Sequence, residues 1–385
     1  MDGKNWFQSE NYSLQVLEEA LRRFSRAGVS VVEYREYTVH GKQILDIVLD
    51  KPLSREVFAD LYKYLSDNNI QLIQIRAIQP VVRLIMVETG STRYRLALTI
   101  LSIIMIGLTG YGLSESFLSL GGHIVTLPEL LFNTIIYTSL FIMVLLIHEF
   151  GHIYVSRKSG FKIEGPILIP APPIQLGFLG TFGAVIFMKM LPPSRRDLAK
   201  LGISGPLMGF IAATIVGLIG LYLSPVIPVS KAIEMVESGE LSYTPVSCML
   251  LQVLLMIRGS GDMVVIMHPL LFIAYVMYLI TFLNLLPIGQ LDGGHVVRSF
   301  TSGEHHARIG LVTILSIFML GVLLFLQGIE ASMFYLGLGI VMVLLYIFVA
   351  RGQHPGWANQ YDDSKCPLCL ILYIMLLILT MPLPA

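Results

Sequence analysis

Between residues 96 and 383 the chain repeatedly runs apolar for about the 20 residues that a helix needs to cross a bilayer core about 30 Å thick. The stretches are 96–113, 133–155, 201–223, 268–287, 309–326, 331–350 and 366–383. A backbone in lipid must satisfy its own hydrogen bonds, so each stretch is read as a helix. The charges follow the same division. Charged residues make up 14% of the chain, against about a quarter in an ordinary soluble domain. Of the 52 charges, 25 fall within residues 1–95. This pattern excludes a soluble globular enzyme, a disordered chain and a secreted disulfide scaffold. The fold expected is a polytopic α-helical membrane protein of six to seven transmembrane helices behind a small N-terminal α/β domain.

That polar head, residues 1–90, carries a helical repeat at Leu14, Leu17, Ala20, Leu21 and Phe24, stopped by Gly28. Residues 29–37 and 44–49 are rich in β-branched and aromatic side chains and flank a His40-Gly41-Lys42 turn. Residues 53–65 read as a second helix capped by Ser54, and 70–76 and 81–88 as two further strands. The order αββαββ fits a two-layer module. No ligand cluster lies in it, so a regulatory or structural role is expected. The N-terminal residues mix both charge signs and lack the apolar core of a signal peptide, which keeps the head cytosolic. A net charge of zero offers no basic face for nucleic acid. Three cysteines are too few for a disulfide framework.

Loop charges set the orientation. With the head inside, the loops at 156–200, 293–308 and 351–365 carry seven, two and two Lys+Arg, whereas 114–132, 224–267 and 327–330 carry none, two and none. The bias places the ends of the second and fourth spans at the cytoplasmic face, here of a prokaryotic cell membrane. Residues 95–350 form the membrane core, and 351–385 a linker with one further helix.

Ionisable residues inside a span are costly, and they mark function by default. The second span ends in His148-Glu149-Phe150-Gly151-His152, after residues 130–147 without Asp, Glu, Lys or Arg. Two histidines four apart lie on one helix face, where both imidazoles reach one cation. Glu149, beside the first, is placed to take a proton from an attacking water and pass it to a leaving amine. A hydrolytic zinc site needs a third protein ligand and an open position. Asp292 supplies the ligand, at the end of the fourth span, where Pro287 breaks the helix and Gly289, Gly293 and Gly294 let the backbone turn. Asn284 either holds a substrate carbonyl and its oxyanion or makes an interhelical hydrogen bond.

HEFGH followed 144 residues later by an LDGG inside an apolar span resembles the site-2 protease family of intramembrane zinc metalloproteases. The likeness covers residues 95–350, and its HExxH and NxxPxxxxDG motifs both match. It implies one zinc bound by His148, His152 and Asp292, water activation by Glu149, and an active-site turn shaped by Asn284 and Pro287. The segment 177–186 and Gly205-Pro206-Leu207-Met208-Gly209 are similar to an archaeal and plant-plastid subgroup. No PDZ module is evident.

The loop at 156–197 is apolar yet rich in Gly and Pro, so it cannot be a helix. Residues 163–169 and 181–188 read as short strands of a membrane-associated hairpin. This is either a structural plug or an edge for an extended substrate, with Gly180, Thr181, Phe182 and Gly183 as its binding residues. The partners implied are the lipid bilayer and a transmembrane protein substrate in partly unwound form. Weaker candidates are expected to be ordinary residues: Cys366 and Cys369 at a span entrance, and His305 and His306 solvated in a polar loop. His268 lies at the far end of the fourth span. His295 is either a support for Asp292 or a plain loop residue. A divalent-metal transporter using the same His/Asp cluster, and an inactive scaffold that binds transmembrane helices, are the rival functions.

Overall fold

The computed structural model describes residues 10–39, 41–87, 94–176, 179–259, 261–348 and 354–384. His40 of the expected turn, and Gly177 and Phe178 of the subgroup-like segment, lie outside them.

The head has the expected order: α1 (Glu10–Arg26), β1 (Val31–Val39), β2 (Lys42–Leu49), α2 (Arg55–Asp67), β3 (Ile70–Ile75) and β4 (Val81–Met86). Its strands form one antiparallel sheet in the order β1-β2-β4-β3. Ser54 starts α2 by accepting from the Val57 N–H, as its residue type predicts. Leu17, Ala20 and Phe24 of α1 and Phe58, Leu61 and Leu65 of α2 are buried in one core with Leu45, Ile47, Leu49, Leu72 and Leu84 of the sheet. Helical and strand periodicities thus converge on one apolar layer.

This core does not stop at the head. Phe161, Met190, Leu201 and Ala358 belong to the same buried cluster. The Tyr62 hydroxyl donates to the Leu191 carbonyl (2.6 Å), and the Leu191 N–H donates to Gln71 Oε1 (2.6 Å). Both polar groups would otherwise be buried without partners.

Among the described residues four helices are long and apolar enough to cross a membrane: α3 (Arg95–Leu118), α4 (Leu127–Ser159), α5 (Arg195–Leu223) and, further along, Gly303–Leu326. Between α4 and α5 run β5 (Ile163–Pro170) and β6 (Thr181–Met188), paired antiparallel as the hairpin expected there. After α5 come β7 (Val226–Pro228), α6 (Val229–Glu237), β8 (Val246–Cys248), α7 (Met249–Arg258) and β9 (Met263–Val265), with β7 pairing β9. Then follow α8 (Pro269–Leu285), α9 (Asp292–Phe300), α10 (Gly303–Leu326), α11 (Ser332–Phe348), α12 (Pro367–Thr380) and β10 (Pro382–Pro384), which pairs β8. Three of the seven expected spans are therefore helices of 17, 17 and 14 residues, namely α8, α11 and α12. Proline sets two of these limits: α8 ends just before Pro287, and Pro367 opens α12.

From Pro269 to Phe282 every residue of α8 is buried, so this helix is the axis of the bundle, apolar all round. The fragment 1–88 is expected to melt cooperatively in solution, but at a lower temperature than the head within the whole chain. Tyr62 and Gln71 lose their partners in the fragment, and comparison of its thermal unfolding with hydrogen exchange of β2 and β4 in the full protein checks this.

Candidate metal centre

His148 and His152 lie one turn apart in α4, and each is only 2% exposed. Asp292 opens α9 and points its carboxylate at both. His148 Nε2 is 3.3 Å from Asp292 Oδ2, His152 Nε2 is 3.4 Å from Asp292 Oδ1, and the two Nε2 atoms are 3.3 Å apart. A tetrahedral cation with bonds of about 2.0–2.1 Å separates its ligand atoms by about 3.3–3.4 Å. The two imidazole nitrogens have that spacing, each has one oxygen of the Asp292 carboxylate at the same distance, and one ligand atom from each residue lies within 4.8 Å of the other two.

The second nitrogen of His152 supports the fit, whereas that of His148 is buried without a partner among the described residues. His152 Nδ1–H donates to the Leu201 carbonyl (2.9 Å), which fixes the tautomer and leaves Nε2 with its lone pair toward the centre. Glu149, next to His148, is 3% exposed, and its Oε2 has no hydrogen-bond partner among the described residues. An orphaned carboxylate oxygen in an apolar bundle is costly unless a further ligand arrives beside it. Two histidines, one aspartate and a spare carboxylate suit a zinc-type ion.

Glycines of α5 bring these groups together. A Cβ on Gly205 would overlap the His152 imidazole at Nε2, and one on Gly209 would lie 2.9 Å from His148 Cβ and Nδ1. A Cβ on Gly202 would run into the Asp292 carbonyl and His295. Gly151 of α4 is pressed in the same way on the Ser204 carbonyl. Small residues let apolar helices approach this closely. On the other side, Gly289 takes the left-handed φ of +53° that the turn after α8 requires. Gly293 and Gly294 are helical instead. They are needed because the carbonyls of Leu285 and Gly289 occupy the space of their Cβ atoms.

His148, Glu149, His152 and Asp292 are thus brought to one place. Asn284 lies in the last turn of α8, half-buried, and its side chain makes no hydrogen bond to another described residue. In the hairpin, Gly180 (φ +80°) and Gly183 (φ +101°) have backbone that favours glycine. The Thr181 hydroxyl donates to the Ile169 carbonyl (2.8 Å) and accepts from the Gly183 N–H (3.0 Å), so it closes the hairpin. Phe182 is 64% exposed.

Two expectations are corrected. His306 is not solvated. It is 2% exposed and packs edge-on to His354, because α10 begins at Gly303 and turns it inward. Cys366 and Cys369 are not a plain pair of thiols but a disulfide, because the first turn of α12 brings positions three apart within reach. His268 caps α8 by accepting from the Leu270 N–H. The sequence reading missed the structural work of Gly202, Gly205 and Gly209. Their spacing on an apolar helix was the available signal.

Residues 136–327 match the model described as Peptidase family M50. The chain carries a domain of this family, the site-2 proteases, and the matched region contains every residue of the cluster. It is a multi-pass membrane protein. Among curated relatives it is 28% identical over 245 residues to the probable zinc metalloprotease EGY2, chloroplastic, of Arabidopsis thaliana, covering 63% of this chain and 40% of that one. It is 27% identical over 170 residues to the probable zinc metalloprotease EGY1, chloroplastic, of the same plant, covering 44% and 30%. It is 25% identical over 231 residues to the zinc metalloprotease MJ0392 of Methanocaldococcus jannaschii, covering 57% and 50%. The chain thus spans at most half the length of these relatives. No solved structure matches it.

Gly205→Ala is expected to abolish stoichiometric zinc in the purified protein, because the new methyl occupies the place of His152 Nε2. Gly337→Ala, where a Cβ meets nothing within 4 Å, should keep it. Metal content per chain measures both.

Proposed function

We propose that this chain is an intramembrane zinc metalloendopeptidase that hydrolyses peptide bonds within or beside transmembrane segments of other membrane proteins. The reading is carried by one observation, the convergence of His148, His152 and Asp292, with ligand atoms within 4.8 Å of one another, beside the orphaned Oε2 of Glu149. His148, His152 and Asp292 would hold one zinc, which when bound would supply Lewis-acid chemistry toward a carbonyl and make water a nucleophile near neutral pH. Glu149 takes the proton of the attacking water and hands it to the departing amine. The Asn284 side-chain amide, without a partner among the described residues, donates to the oxyanion that develops on the substrate carbonyl. The apolar bundle around the cluster strengthens each of these interactions by excluding water.

A peptide bond in an intact helix is hydrogen-bonded and shielded, so the substrate is bound unwound, as an added strand on the β6 edge beside Gly180, Thr181, Phe182 and Gly183. The loop charges put the head and the site at the cytoplasmic face. The membrane is read as the cell membrane of a prokaryote, with a plastid membrane as the competing setting that the names of the plant relatives suggest. The head, residues 1–90, is read as a regulatory domain.

A metal transporter needs a polar path beyond the cluster. Three of the hydroxyls there are held within the protein: Thr138 donates to the Thr134 carbonyl, Thr281 to that of Met277, and Tyr278 pairs with Thr214, whereas Ser139 is exposed and the Tyr137 hydroxyl is buried without a partner among the described residues. An inactive scaffold has no use for Glu149.

Replacing His148 or His152 by Ala should remove the metal. Glu149→Gln should keep it and lower peptide hydrolysis by at least about 100-fold, as read from zinc content and cleavage of a reconstituted transmembrane substrate. Equal metal loss in all three would contradict the roles. A proline within β6 (Thr181–Met188) removes a backbone donor from the strand and should slow cleavage with zinc content unchanged. An undiminished rate would end the strand-addition model and leave the metal site standing.

A further inference from the structure

Residues 354–363, His-Pro-Gly-Trp-Ala-Asn-Gln-Tyr-Asp-Asp, read as a polar linker before α12. In the fold they are a buried strap: His354, Asn359 and Asp362 are 4%, 3% and 6% exposed. Polar groups so enclosed must find partners, and those partners lie on three elements. The Ala358 and Asn359 N–H groups donate to the Pro192 and Pro193 carbonyls (2.8 and 3.1 Å), and the Arg195 N–H donates to Asp362 Oδ2 (3.1 Å), fixing the strap to the start of α5. The Gln74 N–H donates to the Ala358 carbonyl (2.8 Å) and the Gln360 N–H to that of Gln74 (2.9 Å), fixing it to β3 of the head. Trp357 lies between the guanidinium groups of Arg195 on α5 and Arg298 on α9 (5.2 and 4.9 Å).

The remaining bond reaches the metal centre. His354 Nδ1 accepts from the Gly356 N–H (2.9 Å), so its ring proton sits on Nε2, which faces His295 Nδ1 at 2.8 Å. Burial pushes both imidazoles down, His295 to about 4 and His354 to about 2, so at neutral pH the pair is uncharged, with His354 as donor and His295 as acceptor. The rings meet edge to face, and His306 closes the third side. His295 stands three residues after Asp292 in a helix, nearly on the same face. With only nine residues, α9 has little stability of its own. The strap is anchored, so the histidine pair ties the first turn of α9 to a fixed segment, as Arg298 and the His354 carbonyl tie its later turns.

We propose that His354 is a positioning residue for Asp292: its hydrogen bond to His295 holds the first turn of α9 at the rotation that brings the carboxylate within reach of His148 and His152. The proposal rests on the reading of Asp292 as a metal ligand. Gly202, packed on the Asp292 carbonyl and His295, limits how close α9 comes to α5, and His354 limits how far it turns.

The test uses the full-length protein in detergent, loaded with zinc for chelator competition and with cobalt(II) for its visible spectrum. His354→Ala should weaken zinc by about 10- to 100-fold and alter the cobalt spectrum, with kcat falling more than KM. His354→Gln, whose amide can still donate to His295, should recover most of the affinity and the wild-type spectrum. If His354→Ala does not fold, His295→Leu removes the same bond from the other side and is read identically. Unchanged affinity and spectrum in the folded variants would overturn the proposal, and so would a Gln variant no better than Ala. If instead Asp292→Ala bound zinc as tightly as the wild type, the metal-ligand reading itself would fall.

Discussion

Everything in the membrane body is arranged around one cost, that of keeping two imidazoles and two carboxylates out of water inside an apolar bundle. Such groups are tolerated only when they find partners there. Here the ligand atoms partner one another across 3.3–3.4 Å, and the one second nitrogen that is bonded uses a backbone carbonyl of a neighbouring helix. Bringing a carbonyl of α5 to His152 requires the two backbones to approach closely, and this accounts for the glycines at 205 and 209, while Gly202 allows the same approach of α5 to α9. The buried axis of α8, the break at Pro287 and the short α9 follow from the same need: Asp292 comes from a different part of the chain and must arrive at the depth of the histidines.

The head is tied to this machinery more closely than a tethered domain would be. Its apolar core runs into Phe161, Met190, Leu201 and Ala358. Leu201 also supplies the carbonyl that orients His152. The strap at 354–363 touches β3, α5 and α9 together. A shift of the head against the bundle would therefore be felt at both the histidine and the aspartate sides of the centre. This gives a physical route for the regulatory role proposed for residues 1–90.

The element order of the head was legible because apolar periodicities of 3.6 and 2 residues are local properties of the sequence. The hairpin was legible because Gly and Pro exclude a helix between 160 and 192. The histidine pair and Glu149 were legible because four residues make one helical turn, and Asp292 because a carboxylate beside a proline break in an apolar span has few other uses. Span lengths were less so. Among the described residues four of the seven expected stretches are long helices, and α8 is shorter, since a helix enclosed by protein need not match the thickness of lipid.

By itself, then, the sequence determined the membrane-embedded class, the αββαββ head, the hairpin and the chemical identity of the cluster, all of which depend on residue type and local spacing. Only the tertiary structure decided which polar residues the cluster would lean on. His306 reads as solvated in the chain and is buried in the fold. Cys366 and Cys369 read as a plain pair and are bonded. The strap reads as a linker, yet its histidine reaches the helix of Asp292. Partners 59 residues apart, as His295 and His354 are, leave no periodic trace in a sequence, because their meeting depends on how whole helices pack rather than on the preferences of the residues between them.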